Sequence, residues 1–155
     1  MTWTTSRMFR QTVADRFNGA NSMNFLSDTI KAALYNNTPT PDANVAAAAS
    51  AYNTGQFVVA NEVSGMNWPA GGIALASKVV DVATASVVML DAADTASTGN
   101  ATLANVYGAL VYDDTLTTPV ADQGISFNYF GGVQSVTNGI FTAIWNANGI
   151  ARATV

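Results

Sequence analysis

This sequence contains neither cysteine nor histidine, and only 10% of its 155 residues are charged. Each shortage excludes something. Without cysteine there is no disulfide framework and no thiolate metal site. Without histidine, Ser–His–Asp and Cys–His nucleophilic systems are ruled out, and the side chain that titrates most readily near neutral pH is missing. Any general acid or base has to be a shifted carboxylate or a lysine. The charge content lies well below the roughly 25% usual in soluble domains. This is not the composition of a disordered chain, because 49% of the residues are apolar, enough for the core of one domain. Neutral Asn, Thr and Ser supply most of the polar surface, and neutral surface is readily buried against a partner. The chain reads as a non-catalytic structural protein.

The few charges are unevenly placed. Arg7, Arg10 and Arg16 fall in the first sixteen residues with only Asp15 against them. Between Phe17 and Ala151 the only cations are Lys31 and Lys78, facing nine acidic residues from Asp28 to Asp122. A body of that charge repels phosphate, so no nucleic-acid partner is expected. The three arginines suit an acidic protein surface equally well. Arg7, Arg10, Asp15 and Arg16 interrupt the start where the apolar stretch of a signal peptide would lie. No apolar run approaches the roughly eighteen residues of a membrane helix. The expectation is a soluble protein made in a cytoplasm, with no membrane partner.

Residues 1–24 read differently from the rest. Thr5 or Ser6 can cap a short helix in which Phe9, Val13 and Phe17 recur every four residues, and Asn18-Gly19 supplies a stop. Such a helix either folds onto its own domain or docks as an arm on a neighbour; residues 1–24 are taken as an arm and 25–155 as the domain. From Asp28 the pattern becomes β. In Thr29 to Tyr35, Ile30, Ala32 and Leu34 face one way and Thr29, Lys31 and Ala33 the other, the period of a half-buried strand. Pro41-Asp42 opens an alanine-rich helix through Ala46 to Ala49, ending near Asn53-Thr54-Gly55. Further strands are expected over Gln56 to Ala60, Ile73 to Ala83, Ser86 to Asp91, which can pair with the run before it through Thr84-Ala85, Ala101 to Tyr112 and Ile125 to Phe130. Gly131-Gly132 and Asn138-Gly139 are hairpin signals, and Ile140 to Trp145 should pair with Ile150 to Val155. The sum is a mainly β, single-domain, β-sandwich or jelly-roll-like fold with a short N-terminal helix and one alanine-rich helix.

No constellation with catalytic or metal-binding spacing stands out. Asp113-Asp114 closes a strand, but adjacent carboxylates on an extended chain point to opposite faces. Asp91-Ala92-Ala93-Asp94 lacks the alternating oxygen ligands and central glycine of a calcium loop. A glycan hydrolase would need two facing carboxylates, and nothing selects a partner for Glu62. Gly71-Gly72 and Gly131-Gly132 lack the following Lys-Ser/Thr of a phosphate loop. Trp3, Trp68 and Trp145, with Tyr129 and Phe130, are read as packing residues before a carbohydrate platform. No catalytic residue, metal or cofactor is assigned.

Two stretches carry a resemblance. Asn61-Glu62-Val63-Ser64-Gly65 followed by Trp68 to Leu75, with the strand Asp28 to Tyr35 and the loop Thr40-Pro41-Asp42 before it, is similar to a segment common in small structural proteins of tailed bacteriophages. Tyr107 to Thr115, Pro119 to Asp122, Phe127 to Gly132, Val136 to Gly139 and Trp145 to Ile150 resemble the C-terminal half of the same family. The resemblance covers roughly Asp28 to the C-terminus and implies a virion component, best a decoration (cement) protein on the outer capsid surface. It implies a homotrimer that ties neighbouring major capsid subunits together. Contacts with that partner are expected at Phe9, Arg10, Val13 and Phe17 of the helix, at Tyr129 and Phe130, and at Trp68. The alternative is a tail or fibre component that binds a host receptor, with Trp68 and Tyr107 as a glycan platform.

Overall fold

The computed structural model describes residues 3–155; Met1 and Thr2, the first positions of the expected arm, lie outside the described residues. In chain order the elements are β1 (Arg7–Met8), α1 (Arg10–Phe17), β2 (Ile30–Tyr35), α2 (Ala47–Ser50), a 3-10 turn (Val59–Asn61), β3 (Glu62–Val63), β4 (Ile73–Ala74) and β5 (Val79–Asp81). There follow β6 (Val87–Asp91), β7 (Thr95–Ala96), β8 (Ala101–Asp113), β9 (Gly124–Gly139), β10 (Thr142–Ala143) and β11 (Ala151–Thr154). The chain is mainly β, as its pattern predicts.

A six-stranded antiparallel sheet runs β1-β9-β8-β2-β3, with β4 sharing the outer edge of β2 beside β3. Ile30, Ala32 and Leu34 of β2, Val106, Ala109 and Val111 of β8 and Ile125 of β9 face one core. That face packs against the two smaller sheets, β11-β6-β5 and β10-β7, through Phe141, Ala143, Trp145 and Ile150. This is the sheet-on-sheet burial of a sandwich. The opposite face carries Ala33, Tyr35, Leu110, Tyr112 and Phe127 and is covered by Trp3, Phe9 and Phe57. Those rings meet edge-to-face, with centroids 5.5 Å apart for Phe9 and Phe127 and 6.2 Å for Trp3 and Phe127. Ala33 is therefore fully buried, where a half-buried strand had been expected to turn it outward. Gly108 permits the cover: a Cβ there would lie 2.5 Å from the Trp3 ring.

The N-terminal segment is consequently part of the domain. Beyond the two terminal positions, residues 3–24 contribute Trp3 and Phe9 to the core, and β1 pairs with β9 at Arg7↔Phe127 and Met8↔Ser126. The helix starts later than expected, at Arg10, because Ser6 to Met8 are extended against the sheet. Its inner face is Thr12 and Asp15, not the Phe9-Val13-Phe17 stripe; Phe17 is 88% exposed. The Thr12 hydroxyl donates to the Gly124 carbonyl, Gln123 Nε2 donates to Asp15 Oδ2 at 2.8 Å, and Asn21 Nδ2 donates to Gln123 Oε1 at 3.1 Å. A polar seam docks this helix, with the buried Asn21 Oδ1 its one unpartnered atom.

Other boundaries also moved. The run from Ile73 breaks into β4 and β5, since Ser77 adopts φ 51°. The alanine helix shrinks to a single turn, and residues 56–60 form no strand, leading instead into the 3-10 turn. Gly131 and Gly132 make no hairpin: they sit within β9, where Phe130 to Val133 bulge out between the pairs Gly108↔Tyr129 and Val106↔Gln134. The two C-terminal runs do not pair with each other. β10 joins β7 and β11 joins β6.

Candidate functional site

The surface where β1, the bulged part of β9 and the C-terminal segment converge forms an open groove. One end is a depression of about 510 Å³ lined by Tyr129, Phe130, Phe141, Ile144 and Trp145. Ser6 and Asn128 floor the passage to a smaller depression, which leads past Arg7, Met8 and Arg152 to a third of about 640 Å³. Arg7, Arg10 and Arg152 line that far end with Asp42 and Asn44. The groove thus grades from aromatic to cationic along its length.

Hydrogen bonds hold several of these residues. The Tyr129 N–H donates to Ser6 Oγ at 2.9 Å, fixing β1 beside the aromatic end. Asn128 is buried, accepts from Ser126 Oγ at 3.0 Å and donates through Nδ2 to the Ile150 carbonyl at 2.7 Å, which stitches β9 to the C-terminal turn. That turn closes through Gly149, whose N–H donates to the Asn146 carbonyl. Arg152 Nη1 donates to Asn148 Oδ1 at 3.2 Å, and Arg10 Nη1 donates to Asn44 Oδ1 at 2.9 Å. Among the described residues the single ion pair is Lys31 with Asp114, at 2.8 Å. None of the three groove arginines is satisfied by a carboxylate. Guanidinium forks in that state are suited to carboxylates on another surface, which they bind bidentately.

The residues expected at a partner interface divide. Arg10 and Phe17 are exposed and Val13 is half-buried on α1, while Tyr129 and Phe130 are half-buried at the groove. Phe9 and Trp68 are core residues, both fully buried, so neither ring is available to a second molecule. Phe9 is buried because the chain turns from β1 into α1 directly above Phe57 and Phe127. Trp68 points inward from the β3–β4 loop with its ring edge-on to Phe141 at 5.5 Å. Tyr107 is half-buried against the aromatic core. The glycan platform expected from Trp68 and Tyr107 is therefore not assembled.

Arg152 was missed by sequence reasoning as a groove residue. Its one signal is that it is the only cation after Lys78; its meeting with Arg7 and Arg10 depends on the pairing of β11 with β6, which no local pattern announces.

The carboxylates away from the groove are engaged in the fold. Glu62 accepts from Tyr52 OH at 2.8 Å and from the Gly71 N–H at 2.7 Å, and burial raises its pKa against the pull of those two bonds. Asp113 is fully buried and Asp114 exposed, the opposite facing that their adjacency predicts. Burial first, and then the facing Asp28 carboxyl, push Asp113 up to about 6, while the Thr115 and Leu116 N–H groups pull it down. Asp113 Oδ2 has no hydrogen-bond partner, and the facing Asp28 carboxyl favours the protonated form of Asp113. Among the described residues no group of three or more acidic side chains is placed to hold a metal ion. Comparison with family models, with curated proteins and with solved structures finds no match to this chain.

Proposed function

We propose that this chain is a structural protein of a bacteriophage virion, a decoration protein that binds the outer capsid shell and bridges neighbouring major capsid subunits. The observation that carries the reading is the groove: three arginines from opposite ends of the chain, free of carboxylate partners, stand beside an aromatic depression on an otherwise acidic body. Arginine and aromatic side chains are the residues that dominate binding energy at protein interfaces. The acidic remainder favours the outer face of a shell over the inner one, where packaged nucleic acid lies. The sequence resemblance over residues 28–155 supplies the kind of assembly. Repetition across a lattice then converts modest affinity per site into strong avidity.

The test is addition of the purified chain to particles stripped of it, read by bound mass and by a cryo-EM map. Density over the shell between capsomers, with occupancy lost in the double variant Arg7→Glu/Arg152→Glu, is expected. Density at the tail tip alone, or unchanged occupancy in the double variant, overturns the proposal.

A further inference from the structure

Along β1 the groove changes character within a few residues, and the change defines what fits it. Its far end sets three arginines, Arg7, Arg10 and Arg152, against one aspartate, Asp42. Asp42 Oδ1 accepts from the Asn44 N–H at 2.8 Å, and among the described residues no arginine pairs with it. The other end, at Tyr129, Phe130, Phe141 and Trp145, is lined by no charged residue, and Ile144 there is 73% exposed. The passage between the ends is bordered by Arg7 and Met8, which form a free strand edge: β1 is the outermost strand of its sheet. Because the Phe9 N–H donates to the Ile125 carbonyl at 2.9 Å, the alternation of an antiparallel ladder turns the Met8 N–H and C=O away from β9. On that side neither Met8 group has a backbone partner among the described residues.

We infer that this groove takes an extended acidic segment of a partner protein, laid along β1 with its carboxylates on the arginines and one large apolar side chain in the aromatic depression. The inference rests on the reading of the groove as the surface that meets the shell, and it names what the shell presents there: a loop or terminal arm in place of a folded face. Arginine forks take carboxylates bidentately, and the unpaired Met8 groups supply the main-chain bonds that an added strand uses. The spacing follows from the register. Arg7 faces Phe127, so Tyr129 lies two residues, about 7 Å, further along β9. An extended segment therefore needs its apolar side chain and its first carboxylate only about two to four residues apart. Nucleic acids and sulfated glycans match this groove poorly. Their charge is uniform along the chain, and the aromatic half of the groove offers no cation. A peptide can pass from acidic to apolar within that span.

The probes are synthetic peptides of about ten residues, capped at both ends, with one tryptophan and two glutamates at that spacing, made in both chain directions. Calorimetric titration into the full chain should show one direction binding with a Kd on the order of 100 μM or tighter, weakened at least about tenfold as salt rises from about 50 mM to about 500 mM. Replacing both glutamates by glutamine, or the tryptophan by alanine, should abolish binding. In the complex the Met8 amide should be protected from hydrogen exchange. Arg152→Glu should lose the peptide with an unchanged circular dichroism spectrum. Arg16→Glu, the same change of charge at an exposed position of α1 outside the groove, should keep it. No binding in either direction up to about 1 mM, binding indifferent to Arg152→Glu, an unprotected Met8 amide, or a preference for oligonucleotides or heparin fragments over the peptide overturns the inference. Stripped particles separate it from the reading it rests on. A chain that coats them but takes no peptide overturns the inference alone; one that takes the peptide but coats no particle overturns the shell assignment alone.

Discussion

β2 and β5 are both short strands with alternating side chains, and they occupy opposite conditions. From Ala32 to Tyr35 every residue of β2 is fully buried, with neighbours on both edges and aromatic or aliphatic cover on both faces. β5 has one neighbour and no cover, and its valines are nearly half exposed. The difference lies in what the rest of the chain brings to each. β2 is sealed by residues far away in sequence, Trp3 and Phe57 on one side and Phe25 and Trp68 on the other. Among the described residues β5 pairs with no strand but β6. Alternation alone therefore reports that a strand forms, and long-range cover decides whether its side chains are buried or stay exposed.

That contrast is broken most severely at the sealed sheet. Phe127→Ala removes a ring that touches both Trp3 and Phe9 and should cost about 3–5 kcal/mol in urea unfolding. A loss below about 1 kcal/mol would mean that the N-terminal cover is not part of the cooperative unit. Thr12→Val leaves the Gly124 carbonyl without that donor, and about 1–3 kcal/mol should be lost.

A subtler probe is the proton at the end of β8. Asp113 has its folded pKa raised to about 6, whereas an unfolded aspartate titrates near 3.9. Between those values the folded state holds a proton that the unfolded state has released, so stability falls as pH rises through that window and stays low above it. The groups around the pair are the Lys78 ammonium at the Asp28 carbonyl, the Lys31–Asp114 ion pair and Asp122, itself raised by burial and by Asp114. Tm should increase as pH is lowered from 7.5 to 4.5. Asp113→Asn, which keeps an acceptor for the Thr115 N–H and presents a donor to Asp28, should raise Tm at pH 7.5 and flatten the profile. An undiminished pH dependence in that variant would remove Asp113 as its source. At the open edge the smallest effect is expected: Val82→Thr should change monomer stability by less than about 0.5 kcal/mol.

The β class, the β2 strand and the opposite facing of Asp113 and Asp114 were legible because each rests on local alternation. The β5–β6 pairing through Thr84-Ala85 was legible too, the two strands lying only a turn apart. What failed depended on distant contacts. Phe9, Val13 and Phe17 have the spacing of a buried helical stripe, yet the sheet surface beneath α1 offers Gln123 and Gly124, so polar Thr12 and Asp15 turn inward. Gly131-Gly132 carries the composition of a turn, but β8 continues alongside and absorbs the pair as a bulge. Of the groove, the arginines Arg7 and Arg10 and the aromatics Tyr129 and Phe130 were visible; their convergence with Arg152 was not, because it needs the six-stranded sheet that holds residue 7 to meet the three-stranded sheet that holds residue 152.

Trp3 is made well before the surface it rests on, Gly108 and Phe127. At typical synthesis rates the gap is on the order of ten seconds. During that interval Trp3 and Phe9 have no seat, and β2 has no partner on the β8 side. The fold therefore cannot accumulate from its beginning; it waits for the long β8–β9 ribbon and then closes over it, so the nascent chain spends its synthesis exposed and its native life sealed.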